Sequence, residues 1–318
     1  MEKHLFNFAY IPEWPLEGLQ DEQQLSSFLQ EMQLDGVEMM VYDSSIDNSS
    51  YSGHVVGAHL QYWPCWVPLY ERNEEQLNKL YLTKEVRQSY YGALTYEGWL
   101  DNIRANIRAA LKLEPEYLVW HVADSTIAEA FSFKFRHSNR EVLAATAIML
   151  KEVMDEIPSK VKLLLENLWW PGLTLTEPQE VEWFLDQLAD YNVGLMLDTG
   201  HLLNTDLTAN TEAEAIEVLL AKVKELGYLK EQIQGLHLNI SLSAAYRKNC
   251  HRCCGEIFTS EQIMEHIRAI DQHRGFSDPG LARLRELIEP KYINHELYFN
   301  NRTELTSLLH KQLKAWGR

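Results

Sequence analysis

Asp198 and His201 stand three residues apart, just past the apolar run Val193-Gly194-Leu195-Met196-Leu197. A near-continuous apolar run bounded by turn residues reads as a buried strand, and Thr199-Gly200 supplies the turn. A carboxylate at a strand end and an imidazole one turn beyond can share a metal ion or a substrate. The pattern recurs along the chain. His59 ends one apolar run, His121 another in Val-Trp-His-Val-Ala-Asp, and Glu166 a third in Leu-Leu-Leu-Glu-Asn. His237 lies in Gly-Leu-His-Leu-Asn and Glu296 in Ile-Asn-His-Glu-Leu. A single histidine on an apolar strand is ordinarily a hydrogen-bonded core residue. An ionised glutamate there is costly to bury without a partner or a cation. Seven such residues at six strand ends point to a shared site. Glu, Asp and His together are ligands for Zn, Mn or Co, with Fe or Mg as further choices.

Eight strand-like runs must position these groups: 4–11, 36–42, 55–63, 117–122, 161–168, 193–197, 233–240 and 292–299. Helical periodicity follows most of them, at 16–32, 73–89, 96–113, 138–155, 177–191, 211–226, 260–273, 282–288 and 302–316. Alternating strands and helices predict an α/β chain with a parallel sheet. Eight units predict a (β/α)8 TIM barrel, which needs ~250 residues, and residues 1–318 read as one such domain. Residues 43–53 are Ser/Asn/Asp-rich, so the second-unit helix is reduced, while two helices after the third strand enlarge the third unit. Residues 124–138, with Phe131, Phe133, Phe135 and Arg136, read as a loop or lid. A doubly wound open sheet is the alternative, but the glycine-rich dinucleotide fingerprint is absent.

Twenty-nine Lys and Arg against 46 Asp and Glu give a net charge of −17. That balance argues against nucleic acid as a partner, since phosphate backbones are met by basic surface. No apolar run reaches the roughly 18 residues of a membrane span, and the start Met1-Glu2-Lys3-His4 lacks a signal-peptide pattern. Three of the four cysteines, Cys250, Cys253 and Cys254, crowd together and Cys65 stands alone, which is a poor disulfide framework. The expectation is a cytoplasmic protein that takes a small-molecule substrate and is compatible with a homo-oligomer.

The strand-end residues resemble those of the xylose isomerase-like TIM-barrel superfamily, over essentially the whole chain. The matching pieces are Leu165-Glu166-Asn167, Leu197-Asp198-Thr199-Gly200-His201, Leu236-His237-Leu238-Asn239 and His295-Glu296. The superfamily includes sugar isomerases and epimerases, and endonuclease IV-type enzymes of AP endonuclease family 2. In the epimerase branch the resemblance implies a metal on Glu166, Asp198, His237 and Glu296. Glu166 and Glu296 would also move the substrate proton, and His201 would contact substrate. In the endonuclease IV branch it implies a larger cluster with further ligands at His59, His121, His201 and His251. That branch carries an Asp-x-His pair after the seventh strand. The matching stretch puts His251 in place but Asn249 where the family has Asp.

Three readings follow. The first is a metal-dependent isomerase or epimerase of a sugar, polyol or sugar phosphate, with Glu166 and Glu296 as the acid/base pair. A close second is a di- or trinuclear phosphodiester hydrolase acting on a small nucleotide- or cofactor-like ester. The third is a non-catalytic ligand-binding barrel. Glu38 reads as either a structural acid or a substrate contact, and Trp63, Trp66, Trp169 and Trp170 as pocket walls or packing.

Overall fold

A computed structural model describes residues 2–11, 16–250 and 258–318. Eight parallel strands close into a barrel in sequence order: β1 (Lys3–Phe8), β2 (Gly36–Val41), β3 (Val55–Leu60), β4 (Tyr117–His121), β5 (Lys162–Glu166), β6 (Val193–Asp198), β7 (Ile233–His237) and β8 (Tyr292–His295). β1 pairs with β8 as well as β2, so no sheet edge is left. All eight expected strands form, each ending earlier than its apolar run except β6, which extends to Asp198.

Strand alternation decides which residues reach the barrel interior. Leu5, Val56, Tyr117, Val119, Leu164, Met196 and Tyr292 form a small inner cluster, separate from the larger core between sheet and helices. Two residues past Val119 comes His121; past Leu164, Glu166; past Met196, Asp198. The same step leads from Gly57 to His59 and from Gly235 to His237. The chemistry-bearing groups are therefore the next interior layer toward the C-terminal ends of the strands. Gly57 is required below them, because a Cβ there would lie 2.1 Å from the Tyr117 ring.

The helices behave as amphipathic covers. Glu22–Met32 buries Leu25, Phe28, Leu29 and Met32 against the barrel, at about 1.5–3 kcal/mol for each large side chain. The third unit is enlarged as expected, but the single helix predicted over 73–89 is two, Glu74–Leu80 and Lys84–Tyr91. The Thr83 side chain accepts from the Val86 amide and starts the second one. A short helix, Val67–Tyr70, precedes them. Residues 43–53 hold only a 3-10 turn, Ser49–His54. The expected loop over 124–138 contains a helix, Ile127–Ser132, closed by a Thr126/Glu129 capping box. The helix predicted to reach His273 stops at Ile270. Among the described residues no helix is long and apolar enough to cross a membrane.

Candidate metal centre

The segment Asp198-Thr199-Gly200-His201 is built by local bonds. Asp198 Oδ1 accepts from the His201 amide at 2.6 Å and caps the short helix Thr199–Leu203. The Thr199 hydroxyl donates to the carbonyls of His237 and Asn239, at 3.1 and 2.6 Å, tying β6 to the end of β7. Asn239 Nδ2 then donates to Asp198 Oδ2 at 2.7 Å. Only glycine leaves room for this, since a Cβ on Gly200 would sit 1.9 Å from Asn239 Oδ1. Both oxygens of Asp198 are thereby oriented, and His201 is delivered to the barrel axis.

Glu166 is the hub. Its Oε2 lies 3.1 Å from His59 Nε2 and 3.0 Å from His121 Nε2. Its Oε1 lies 3.1 Å from His237 Nδ1 and 3.2 Å from His201 Nδ1. Glu296 Oε2 is 2.9 Å from the same His237 nitrogen. Among the described residues four ligand groups result, each with its donor atoms within 4.8 Å of one another: Glu38, His59 and His237; His59, His121 and Glu166; Glu166, Asp198, His237 and Glu296; Asp198, His201 and His273. His59 Nδ1 faces the Leu60 carbonyl at 2.9 Å, which turns Nε2 toward Glu166.

The residues fit divalent ions. Glu166 Oε1, His237 Nδ1 and Glu296 Oε2 are buried without a hydrogen-bond partner, although His237 Nδ1 lies only 3.1 and 2.9 Å from the two oxygens. Lone pairs that approach so closely without donor geometry converge on a common point. Ligands about 2.1 Å from a shared ion stand roughly 3–3.5 Å apart. His237 Nε2 lies 2.9 Å from Glu38. Glu38 in turn accepts from the Tyr117 hydroxyl at 2.6 Å and from Asn294 at 3.1 Å. Those two bonds fix the Glu38 carboxylate beside His237 Nε2, which like Nδ1 is buried without a hydrogen-bond partner. Glu38 is fully buried and opposes Gly57, one layer below His59.

Without ions, the cluster holds protons in their place. Burial works against ionised Glu166, but His121, His237 and His201 outweigh it and hold its carboxyl well below the usual range. Burial pushes Asp198 up to about 7, reinforced by Glu296 and Glu166 against the pull of His201. Burial also opposes charge on His237, yet Glu38, Glu166 and Glu296 raise it well above an ordinary imidazole. Glu296 is lowered to about 2, the pull of His237 and His273 exceeding the cost of burial.

Two members of the cluster escape sequence reading. His201 Nε2 lies 3.5 Å from Asp271 Oδ2, and Asp271 Oδ1 lies 3.0 Å from His273 Nε2. An Asp-x-His pair, Asp271-Gln272-His273, thus stands beside His201. Asn249 is on the helix Ala244–Asn249 with its amide bonded to the Ala245 carbonyl at 2.8 Å, and His251 lies outside the described residues. The extended helix prediction hid the pair. The available signal was the i, i+2 spacing, which puts two side chains on one face of an extended segment. An antiparallel bridge between Ile240 and Arg274 holds that segment against the end of β7. His273 adopts a φ of 43°, backbone strain of the kind that functional sites retain. Of the four tryptophans, Trp66 stacks on Trp99 at 5.5 Å in the outer core, and Trp63 also packs there. Trp169 approaches His201, ring centroids 5.1 Å apart. Arg136 is on the surface, paired with Gln76 and Glu71.

The sequence pattern of the xylose isomerase-like TIM barrels, AP endonuclease family 2, matches residues 88–277. The chain belongs to this family. Of the nine clustered side chains, His59 and Glu296 lie outside the matched range. No curated protein matches the chain. Among solved structures, this member of the xylose isomerase-like family is similar to 3-keto-D-glucoside 4-epimerase from E. coli, with 11% identity, all of both chains covered and a TM-score of 0.53. It is also similar to endonuclease IV from Thermus thermophilus, with 14% identity over 99% of this chain and 97% of that one, TM-score 0.52. L-ribulose 3-epimerase gives 14% identity over 100% and 94%, TM-score 0.51. At such identities the likeness is one of fold, and one barrel hosts many chemistries.

Proposed function

We propose that this xylose isomerase-like barrel is a multinuclear metal-dependent hydrolase of a small phosphate diester. The observation that carries this reading is the arrival of Asp271 and His273 beside His201. They bring the clustered set to nine side chains, Glu166 among them. A one-ion isomerase uses Glu166, Asp198, His237 and Glu296, with His201 on the substrate, and has no task for the other four. Divalent ions held by these overlapping groups would supply positive charge for phosphoryl oxygens and acidify water at neutral pH. Glu166 spans the His59–His121 group and the His237 group, one oxygen to each. Asn239 and the His201 amide hold Asp198 in the orientation a ligand needs. Glu296, ionised at neutral pH and slightly exposed, would complete the ligand set on the open side of His237. The net charge of −17 favours a small substrate over a polyanionic polymer.

The isomerase or epimerase reading, first on the sequence, keeps one supporting observation: Glu166 and Glu296 both flank His237 Nδ1, at 3.1 and 2.9 Å. Elemental analysis of the purified chain separates the two, together with assays on bis(p-nitrophenyl) phosphate and on ketoses. Two or more ions per chain with diester cleavage is the expected result. One ion with ketose turnover would overturn the hydrolase reading.

A further inference from the structure

A chamber of about 320 Å³ opens beside the cluster, with His121, His201 and Asp271 on its inner side. Its walls are Tyr62, Phe131, Leu168, Trp169 and Trp170. Trp169 and Trp170 lie at 53° to each other with centroids 5.1 Å apart, and the Tyr62 ring meets His121 edge-on at 4.5 Å. The outer rim carries Ile127 and Met264, from two different helices, 51% and 47% exposed. No lysine or arginine lines the chamber among the described residues.

We propose that this chamber takes a flat, uncharged aromatic ring of the substrate, placing the attached phosphate at the cluster. The proposal rests on the phosphate-ester reading for the linkage, and on the chamber alone for the ring. The walls present aromatic and aliphatic carbon, with Phe131 itself held in a stack with Phe258 and His266, which suits a planar apolar group. A sugar would bring several hydroxyls, each needing a partner once buried. Of the wall hydroxyls, Ser125 donates to the Thr126 carbonyl and Thr126 accepts from the Glu129 amide, so each already holds one local bond. Tyr62 Oη and Trp169 Nε1, buried without hydrogen-bond partners, remain available among the wall side chains. Two donors match acceptor atoms on the edge of a heteroaromatic ring better than a polyol. An anionic ring substituent would meet Asp271 and neither lysine nor arginine among the described residues. The volume lies at the lower end of the ~300–1,000 Å³ of small-molecule sites. Ile127 and Met264 account for part of the rim: they remain exposed here and would be covered by a bound ring.

The test uses the metal-loaded chain and three probes: 1-naphthyl phosphate, ribose 5-phosphate and inorganic phosphate. Binding is read by calorimetry. 1-Naphthyl phosphate is expected to bind at least about tenfold tighter than ribose 5-phosphate. The double variant Ile127→Asn/Met264→Gln, altered only at exposed positions, is expected to erase that advantage and leave inorganic phosphate binding unchanged. Equal or tighter binding of ribose 5-phosphate, or an aryl preference untouched by the double variant, would overturn the proposal. Bis(p-nitrophenyl) phosphate turnover is measured in parallel. Aryl preference without turnover sinks the hydrolase reading but keeps the chamber assignment; turnover without aryl preference does the reverse.

Discussion

Glu166→Gln is the most informative perturbation of the cluster, because one carboxylate serves two groups. Four imidazole nitrogens lie 3.0–3.2 Å from its two oxygens. In the ion-free protein, removing the charge breaks a buried pairing, which costs about 3–5 kcal/mol. For a chain of this size a loss of 1 kcal/mol lowers Tm by roughly 2 °C, so the ion-free variant should melt roughly 6–10 °C lower. The larger effect is on stoichiometry. The variant weakens the His59–His121 group and the Asp198–His237–Glu296 group together, whereas Asp271→Asn touches only the His201–His273 group. Elemental analysis after dialysis should therefore show two ions lost from Glu166→Gln and one from Asp271→Asn. Melting with and without EDTA supplies a second reading, because a bound ion at 1,000 times its Kd stabilises by about 4 kcal/mol. Glu166→Gln should lose most of that stabilisation. Equal ion loss in the two variants would refute the bridging role of Glu166.

Gly200→Ala should push Asn239 away from Asp198, given the 1.9 Å approach, and weaken metal binding about 10–100-fold, as loss of outer support does. Asn239→Ala should reproduce the effect, and calorimetric affinities at the wild-type level in both would disprove the account. Burial opposes charge on His273, but Asp271 and Glu296 raise it to about 9. Its pairing thus stabilises the ion-free fold fully below the unfolded value of about 6.5, and that contribution fades as pH rises through 9. Metal affinity should climb over the same window, because binding must expel the proton; titrations in buffers of different ionisation enthalpy would detect the release. At the other end of the barrel, burial opposes ionisation of Glu116, but Lys3, Lys291 and Tyr292 outweigh it and lower the carboxyl to about 2. Its contribution is complete above about 4.5 and lost as pH falls toward 2, so Glu116→Gln should flatten the acid limb of the stability curve measured by denaturant titration.

The sequence by itself determined the barrel and most of its mouth. Strand identity is a local property: apolar runs ending in Asp198, Glu166 or His237 declare both the strand and its C-terminal end, and the period of two then aims those residues inward. Where the chain bends is less local. Ile263, Ile267 and Ile270 carry the helical pattern of 260–270 toward Asp271, and nothing apolar marks the stop, so Asp271 and His273 were absorbed into a helix. Only the bridge from Arg274 to Ile240 and the closed barrel bring them to His201. Glu38 is a similar case, because its partners Tyr117, His237 and Asn294 sit on three other strands. The chamber too belongs to the tertiary structure alone. Tyr62, Trp169 and Met264 come from three separate connections, and no spacing in the chain encodes a cavity between them.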